Sequence, residues 1–190
     1  MFMLSSNSRK KDIGSIFIGF SLVIIGMELM SDSVAPLAEV PEFTNILTLF
    51  TNPILGILMG AVLTAVVQSS SASIGIMQAI AATGSISYAA ALPLIMGQNI
   101  GTCLTSILSS IGATKDAKRA SIVHLVFNIS GTVVCLIVYY ILRAFITPDM
   151  FDFTKPINAA GIAVIHTTFN VFSTIVLFPF IKQFEKFTYI

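Results

Sequence analysis

The sequence predicts an all-α integral membrane protein with about four net transmembrane crossings plus a re-entrant helical hairpin with a broken helix. Three observations predict it. Mean hydropathy is +0.92 and only 10% of the 190 residues are charged, against about 25% in a typical soluble domain. Residues 43–114 run for 72 positions without one Asp, Glu, Lys or Arg, as expected where charge would be buried in hydrocarbon. Two polar clusters, Gln68-Ser69-Ser70-Ser71-Ala72-Ser73 and Gly97-Gln98-Asn99-Ile100-Gly101-Thr102, interrupt that stretch, and their polar groups must be satisfied inside the protein or bind something.

The elements follow in chain order. Residues 1–12 are polar and read as a cytoplasmic tail. No small-residue cleavage site follows them, so residues 13–30 read as a first transmembrane helix rather than a signal peptide. At 18 residues this segment just crosses a core of ~30 Å. Residues 31–52 carry Asp32, Glu39, Glu42, Pro36 and Pro41 but no Lys or Arg, and a short amphipathic segment is expected at 43–50. Residues 53–112 divide into apolar pieces at 53–67, 72–82, 88–96 and 102–111, separated by Gln68–Ser71, Thr83-Gly84-Ser85 and Gly97–Gly101. As helices these pieces reach roughly 14–22 Å, too short to span alone. They are expected to form a re-entrant hairpin followed by a broken spanning helix. Residues 120–142 and 157–181 read as two further spans, joined by a mixed-charge loop with Pro148, Asp149 and Asp152. Residues 13–181 thus make one transmembrane unit, and 182–190 a second cytoplasmic tail.

Basic residues set the orientation. Arg9, Lys10 and Lys11, then Lys115, Lys118 and Arg119, then Lys182 and Lys186 place both termini inside. This closes only if 53–112 makes a net odd number of crossings, which a hairpin plus one crossing does and three full spans would also do; the short pieces favour the hairpin. A net charge of +1 gives no nucleic-acid footprint. Cys103 and Cys135 have no metal-ligand spacing and read as packing residues, as do Gly14, Gly19 and Gly26.

The first polar cluster has a chemistry. A helix N-terminus presents unpaired N–H groups and partial positive charge, and Ser is a good N-cap. Ser69-Ser70-Ser71 opening the helix 72–82 builds an anion site without a basic side chain, and Gln68 adds an amide. Co-bound Na⁺ would supply the missing charge. Hard cations take oxygen ligands, which unwound carbonyls at Gly97–Gly101, with Gln98, Asn99, Thr102 and Thr105, would offer. The alternative is that these hydroxyls only bond backbone carbonyls or join neighbouring helices. His124 and Asn128 stand at i, i+4, as do His166 and Asn170, in the echo His124-Leu-Val-Phe-Asn128 and His166-Thr-Thr-Phe-Asn170. Two readings stand: polar helix–helix clamps, or groups that lie beside the site or couple protons. Glu28 and Asp32 share the same spacing and either are solvated or attract cations.

Thr64-Ala-Val-Val-Gln-Ser-Ser-Ser-Ala-Ser73 followed by Gly97-Gln-Asn-Ile-Gly-Thr102 resembles the sodium–phosphate cotransporter family. So do the flanks Gly26-Met-Glu-Leu-Met-Ser-Asp32, Asn52-Pro-Ile-Leu-Gly56 and Ala117-Lys-Arg-Ala-Ser-Ile-Val-His-Leu-Val-Phe-Asn128. The resemblance implies two inverted repeats, each with a Gln-Ser-Ser-Ser hairpin, around a central phosphate and sodium site at the cell membrane. It implies sodium-coupled symport of inorganic phosphate by alternating access, with Na⁺ as coupling ion and no other cofactor. Gln68, Ser69, Ser70 and Ser71 would bind phosphate or sodium, and Asn99 and Thr102 would lie at the ion site. This chain has a single Gln-Ser-Ser-Ser and looks like the second repeat, one half of an inverted-repeat transporter. It therefore expects a second repeat or an oligomer partner. The rival readings are a membrane binding or assembly subunit without transport, and an anion channel-like pore. A serine hydrolase built on Ser69–Ser71 lacks a Gly-x-Ser-x-Gly turn, so no catalytic residue is assigned.

Overall fold

The computed structural model describes residues 8–145 and 152–189. The first seven residues of the tail, and Pro148 and Asp149 of the 143–156 loop, lie outside the described residues. Everything described is helix, turn or loop, with one isolated bridge between Ser87 and Pro156.

The helices are α1 (Ser8–Val34), α2 (Pro41–Leu49), α3 (Pro53–Val67), α4 (Ser70–Ala82), α5 (Tyr88–Ser109), α6 (Lys115–Phe145), α7 (Ala159–Leu177) and α8 (Ile181–Phe187), with short 3₁₀ turns at Ala35–Glu39 and Phe178–Phe180. Four helical stretches are long and apolar enough to cross a membrane: α1, α5, α6 and the stretch that begins with α7. The amphipathic segment expected at 43–50 is α2, which bends into α3 at 111°. The first helix runs further than the expected 13–30 because the polar residues after Asn7 continue it.

Local chemistry fixes the hairpin. Asn52 caps α3 by accepting from the amides of Ile54 (3.0 Å) and Leu55 (3.3 Å), and Pro53 occupies the first helical position, where its missing N–H costs nothing. The α3–α4 break falls at Gln68 and Ser69, the α4–α5 turn at Thr83-Gly84-Ser85, with Gly84 at φ 73°.

α3 and α5 run parallel, with Gly56 beside Pro93, Gly60 beside Leu94, and Gly101 beside Ala61 and Thr64. α4, between them in sequence, returns antiparallel alongside the pair and buries Met77 and Ala81 with Ile86, Ala90 and Leu94. Residues 53–112 therefore make one net crossing, carried by α5.

Here the structure corrects the sequence reading. Gly97–Gly101 does not break a helix: α5 is continuous for 22 residues, about 33 Å. The glycines are there because α3 is so close. A Cβ on Gly97 would meet the backbone of Ile57, and one on Gly101 would stand 2.5 Å from the Ala61 carbonyl oxygen. Gly56-x-x-x-Gly60 on α3 answers Gly97-x-x-x-Gly101 on α5, the small-residue spacing that lets membrane helices approach.

At one end the α2–α3 corner, the 84–87 turn and the 154–156 loop surround a cavity of about 330 Å³. Ile157 donates to Ile86, and Tyr88 and Ala89 donate to Lys155 and Phe153. In this loop the hydroxyl and amide of Thr154 hold the Asp152 carboxyl below the usual carboxylate range. At the other end Arg119 lies 4.1 Å over the Tyr189 ring, and Phe127 meets Phe184. Lys115, Lys118, Arg119, Lys182 and Lys186 thus share one end.

Candidate functional site

The Gln-Ser-Ser-Ser cluster is the tip of the α3–α4 hairpin. Gln68 ends α3 in the left-handed conformation (φ 55°, ψ 20°), the one non-glycine residue at positive φ among those described. Such a conformation costs about 1–2 kcal/mol outside glycine, and strain of this kind gathers at functional turns. Ser69 caps α4, its Oγ accepting from the Ala72 amide at 3.3 Å and lying 3.2 Å from Ser71 Oγ. The amides of Ser70 and Ser71 begin the helix, where no intrahelical acceptor exists. Gln68, Ser70 and Ser71 are exposed and Ser69 is half-buried.

Beneath the tip lies a knot the sequence did not reveal. Thr64 Oγ1 and Ser73 Oγ are 2.8 Å apart, and Gln98 Nε2 donates to Ser73 Oγ (2.8 Å) and to the Ser73 carbonyl (3.0 Å). Thr64 and Ser73 are fully buried and Gln98 is 1% exposed. One residue from each of α3, α4 and α5 is thereby joined, which anchors the tip to the long helix. Gln98 Oε1 is buried and has no hydrogen-bond partner among the described residues. The signal available in the sequence was position: Ser73 falls one helical turn after Ser69, on the side that faces α5.

The residues expected at an ion site are placed together on α5 but not on an unwound backbone. Asn99 Nδ2 donates to the Ile95 carbonyl (2.9 Å), Thr102 Oγ1 to that of Gln98 (2.9 Å) and Thr105 Oγ1 to that of Thr102 (2.7 Å). The Thr102 and Thr105 hydroxyls thus spend their one hydrogen on their own helix and keep oxygen lone pairs, while Asn99 keeps its carbonyl oxygen and one N–H. The carbonyls of 97–101, in contrast, belong to a continuous helix, and the expectation of unwound carbonyl ligands fails.

The two His-x-x-x-Asn pairs behave alike. Asn128 donates to the His124 carbonyl (3.0 Å) and Asn170 to that of His166 (2.8 Å), with Asn170 Nδ2 also 3.3 Å from His166 Nε2. Both asparagines thus bond their own helix, and the first pair also meets α5, where Cys103 donates to the His124 carbonyl (3.5 Å) and bonds the Asn128 side chain. Further polar links between helices are Ser106–Ser121 between α5 and α6 (3.1 Å) and Gln78 to the Ala159 carbonyl between α4 and α7 (3.2 Å). Glu28 and Asp32 are exposed. Of the three α1 glycines, Gly19 and Gly26 face open space, so they pack against nothing described. Cys103 and Cys135 are free and buried. Among the described residues no group of three His, Cys, Asp or Glu side chains could hold a metal ion.

Comparison with known proteins meets this geometry at the same residues. The family described as Na+/Pi-cotransporter matches residues 22–177, which takes in α2 to α7 and the whole hairpin. The chain belongs to the Na+/Pi-cotransporter family. It is 27% identical to "Uncharacterized protein YqeW" of Bacillus subtilis (strain 168) over 187 residues, 98% of this chain and 59% of that protein. It is 27% identical to "Putative inorganic phosphate export protein YjbB" of Escherichia coli (strain K12) over 187 residues, 98% of this chain and 34% of that protein. It is 35% identical to "Sodium-dependent phosphate transport protein 2B" of Homo sapiens over 101 residues, 50% of this chain and 15% of that protein. The chain therefore spans 59% and 34% of the lengths of the two bacterial relatives. No solved structure matches.

Proposed function

We propose that this chain is one repeat of a sodium-coupled symporter for inorganic phosphate in the cell membrane, with both termini on the cytoplasmic side. The observation that carries this is the hairpin tip. An open helix N-terminus rimmed by Gln68, Ser69, Ser70 and Ser71 sits at the end of two apolar helices too short to span, and the Thr64–Ser73–Gln98 knot fixes it to α5. The N-terminal amides and hydroxyls would take the phosphate oxygens. No Lys or Arg lies between Phe43 and Thr114, so the anion's charge calls for a cation, which is Na⁺ in this reading. Its ligands would be side-chain oxygens of Gln98, Asn99, Thr102 and Thr105, with the unpartnered Gln98 Oε1 the first of them.

The exposure of Ser70 and Ser71 indicates that the tip supplies one face of the site. The opposite face would come from a second repeat, on another copy or another chain. Sodium coupling is argued from the name of the human relative, whereas the name of the Escherichia coli relative speaks of export, so direction needs its own test.

That test is labelled-phosphate uptake into proteoliposomes containing the chain, with an inward gradient of sodium or of potassium. Uptake with sodium alone supports symport. Equal uptake with both cations indicates a pore. Sodium-dependent binding without flux indicates a binding subunit.

A further inference from the structure

We propose that the groove between α5, α6 and α7 holds one acyl chain of an anionic phospholipid, whose phosphate sits on Arg143. The groove encloses about 440 Å³, within the range of roughly 300–1,000 Å³ that ligand pockets occupy. Its floor is α5, through Ile95 and Met96; its walls are α6, through Cys135 and Tyr139, and α7, through Phe169. The lining is almost wholly apolar, so water gains few partners there and the natural filler in a bilayer is hydrocarbon.

One end is different. Tyr139 stacks edge-on against Phe153 at 5.5 Å, and its hydroxyl accepts from Arg143 Nη1 at 3.4 Å. The guanidinium therefore stands at the mouth of the groove. It is exposed, lies two residues from the last described residue of α6, and no carboxylate among the described residues pairs with it. Five N–H donors with one used leave a fork suited to a phosphate, which arginine binds in bidentate fashion. An apolar slot with a cation at its rim is the complement of an anionic amphiphile. The slot lies on the α6–α7 side of α5, whereas the hairpin tip contacts α5 through α3 and α4, so the inference stands apart from the transport reading.

The test uses the purified full chain and native mass spectrometry, with phosphatidylglycerol and phosphatidylcholine titrated separately. Phosphatidylglycerol is expected to bind the wild type more tightly. Arg143→Gln should weaken it about fivefold, the factor that matches the ~1 kcal/mol one basic residue contributes near an anionic surface. Phosphatidylcholine should be unaffected by that change, and Arg143→Lys should recover most of the preference. Thr168→Trp, which enters the groove from an exposed position on α7, should exclude both lipids. Equal phosphatidylglycerol binding by the wild type, Arg143→Gln and Thr168→Trp would overturn the proposal. So would a lipid-free dimer that Thr168→Trp splits, because a second copy would then fill the groove.

Discussion

Gly97→Ala separates two physical accounts of the Gly97–Gly101 segment by the sign of its effect. If glycine were there to break a helix, alanine would strengthen it by about 1 kcal/mol. The structure says the reverse. The added Cβ would stand 2.7 Å from the Ile57 carbonyl carbon and 2.8 Å from Ile57 Cα, with the carbonyl oxygen nearer still. Ordinary contact starts near 3.4 Å, so α3 and α5 must part by at least 0.7 Å (3.4 − 2.7). Both sides are backbone, and no flexible side chain can yield. Overpacking of this kind costs about 1–3 kcal/mol; taking the upper value and subtracting the helix gain leaves a loss of about 2 kcal/mol. At about 2–4 °C per kcal/mol for a chain of this size, the midpoint should fall by about 4–8 °C. The assay is thermal unfolding in detergent read by a thiol-reactive fluorogenic dye, since Cys103 and Cys135 are free and buried and the chain has no Trp. Gly19→Ala, which meets nothing within 4 Å, is the control and should be neutral or stabilising. An unchanged or raised midpoint for Gly97→Ala would refute the packing argument.

Other changes test the site. Ser73→Ala removes the hydroxyl shared by Thr64 and Gln98 and should lower stability by about 1–3 kcal/mol, since buried donors lose their partner; the same dye assay reads it, and an unchanged midpoint would mean the knot does not anchor the tip. Gln68→Gly should move stability and function in opposite directions, relieving about 1 kcal/mol of left-handed strain while weakening phosphate binding. Its unfolding midpoint and its phosphate titration check the two halves. Asn99→Ala should raise the sodium concentration needed for half-maximal phosphate uptake, and an unmoved sodium curve would remove Asn99 from the ion site.

The parts of the fold set by local chemistry were legible. Gln68–Ser71 and Thr83-Gly84-Ser85 announce a break and a turn, and α3 and α4 end where these residues stand. Gly97–Gly101 misled because glycine and amides in an apolar run are also what a broken helix looks like. The deciding fact was non-local: Gly56 and Gly60 stand on another helix at the same spacing, and only the pair of patterns identifies a close crossing. The hairpin serines were legible as an exposed helix start. Ser73 and Thr64 were not, because the burial that turns two hydroxyls into an anchor comes from α5, far along the chain. The His-x-x-x-Asn echo left helix clamps and groups beside the site or coupling protons both open. Each asparagine reaches the carbonyl four residues back, and the contact of Cys103 with His124 and Asn128 depends on how α5 packs on α6, which the echo does not carry.

The most direct measurement of the central claim is equilibrium binding of labelled phosphate to the purified chain in nanodiscs, with sodium or potassium as the only cation, for the wild type and Ser70→Ala. The account predicts saturable binding in sodium, little in potassium, and a loss on Ser70→Ala with folding intact. Binding that ignores the cation, or that Ser70→Ala leaves unchanged, would contradict a sodium-dependent phosphate site at the hairpin tip.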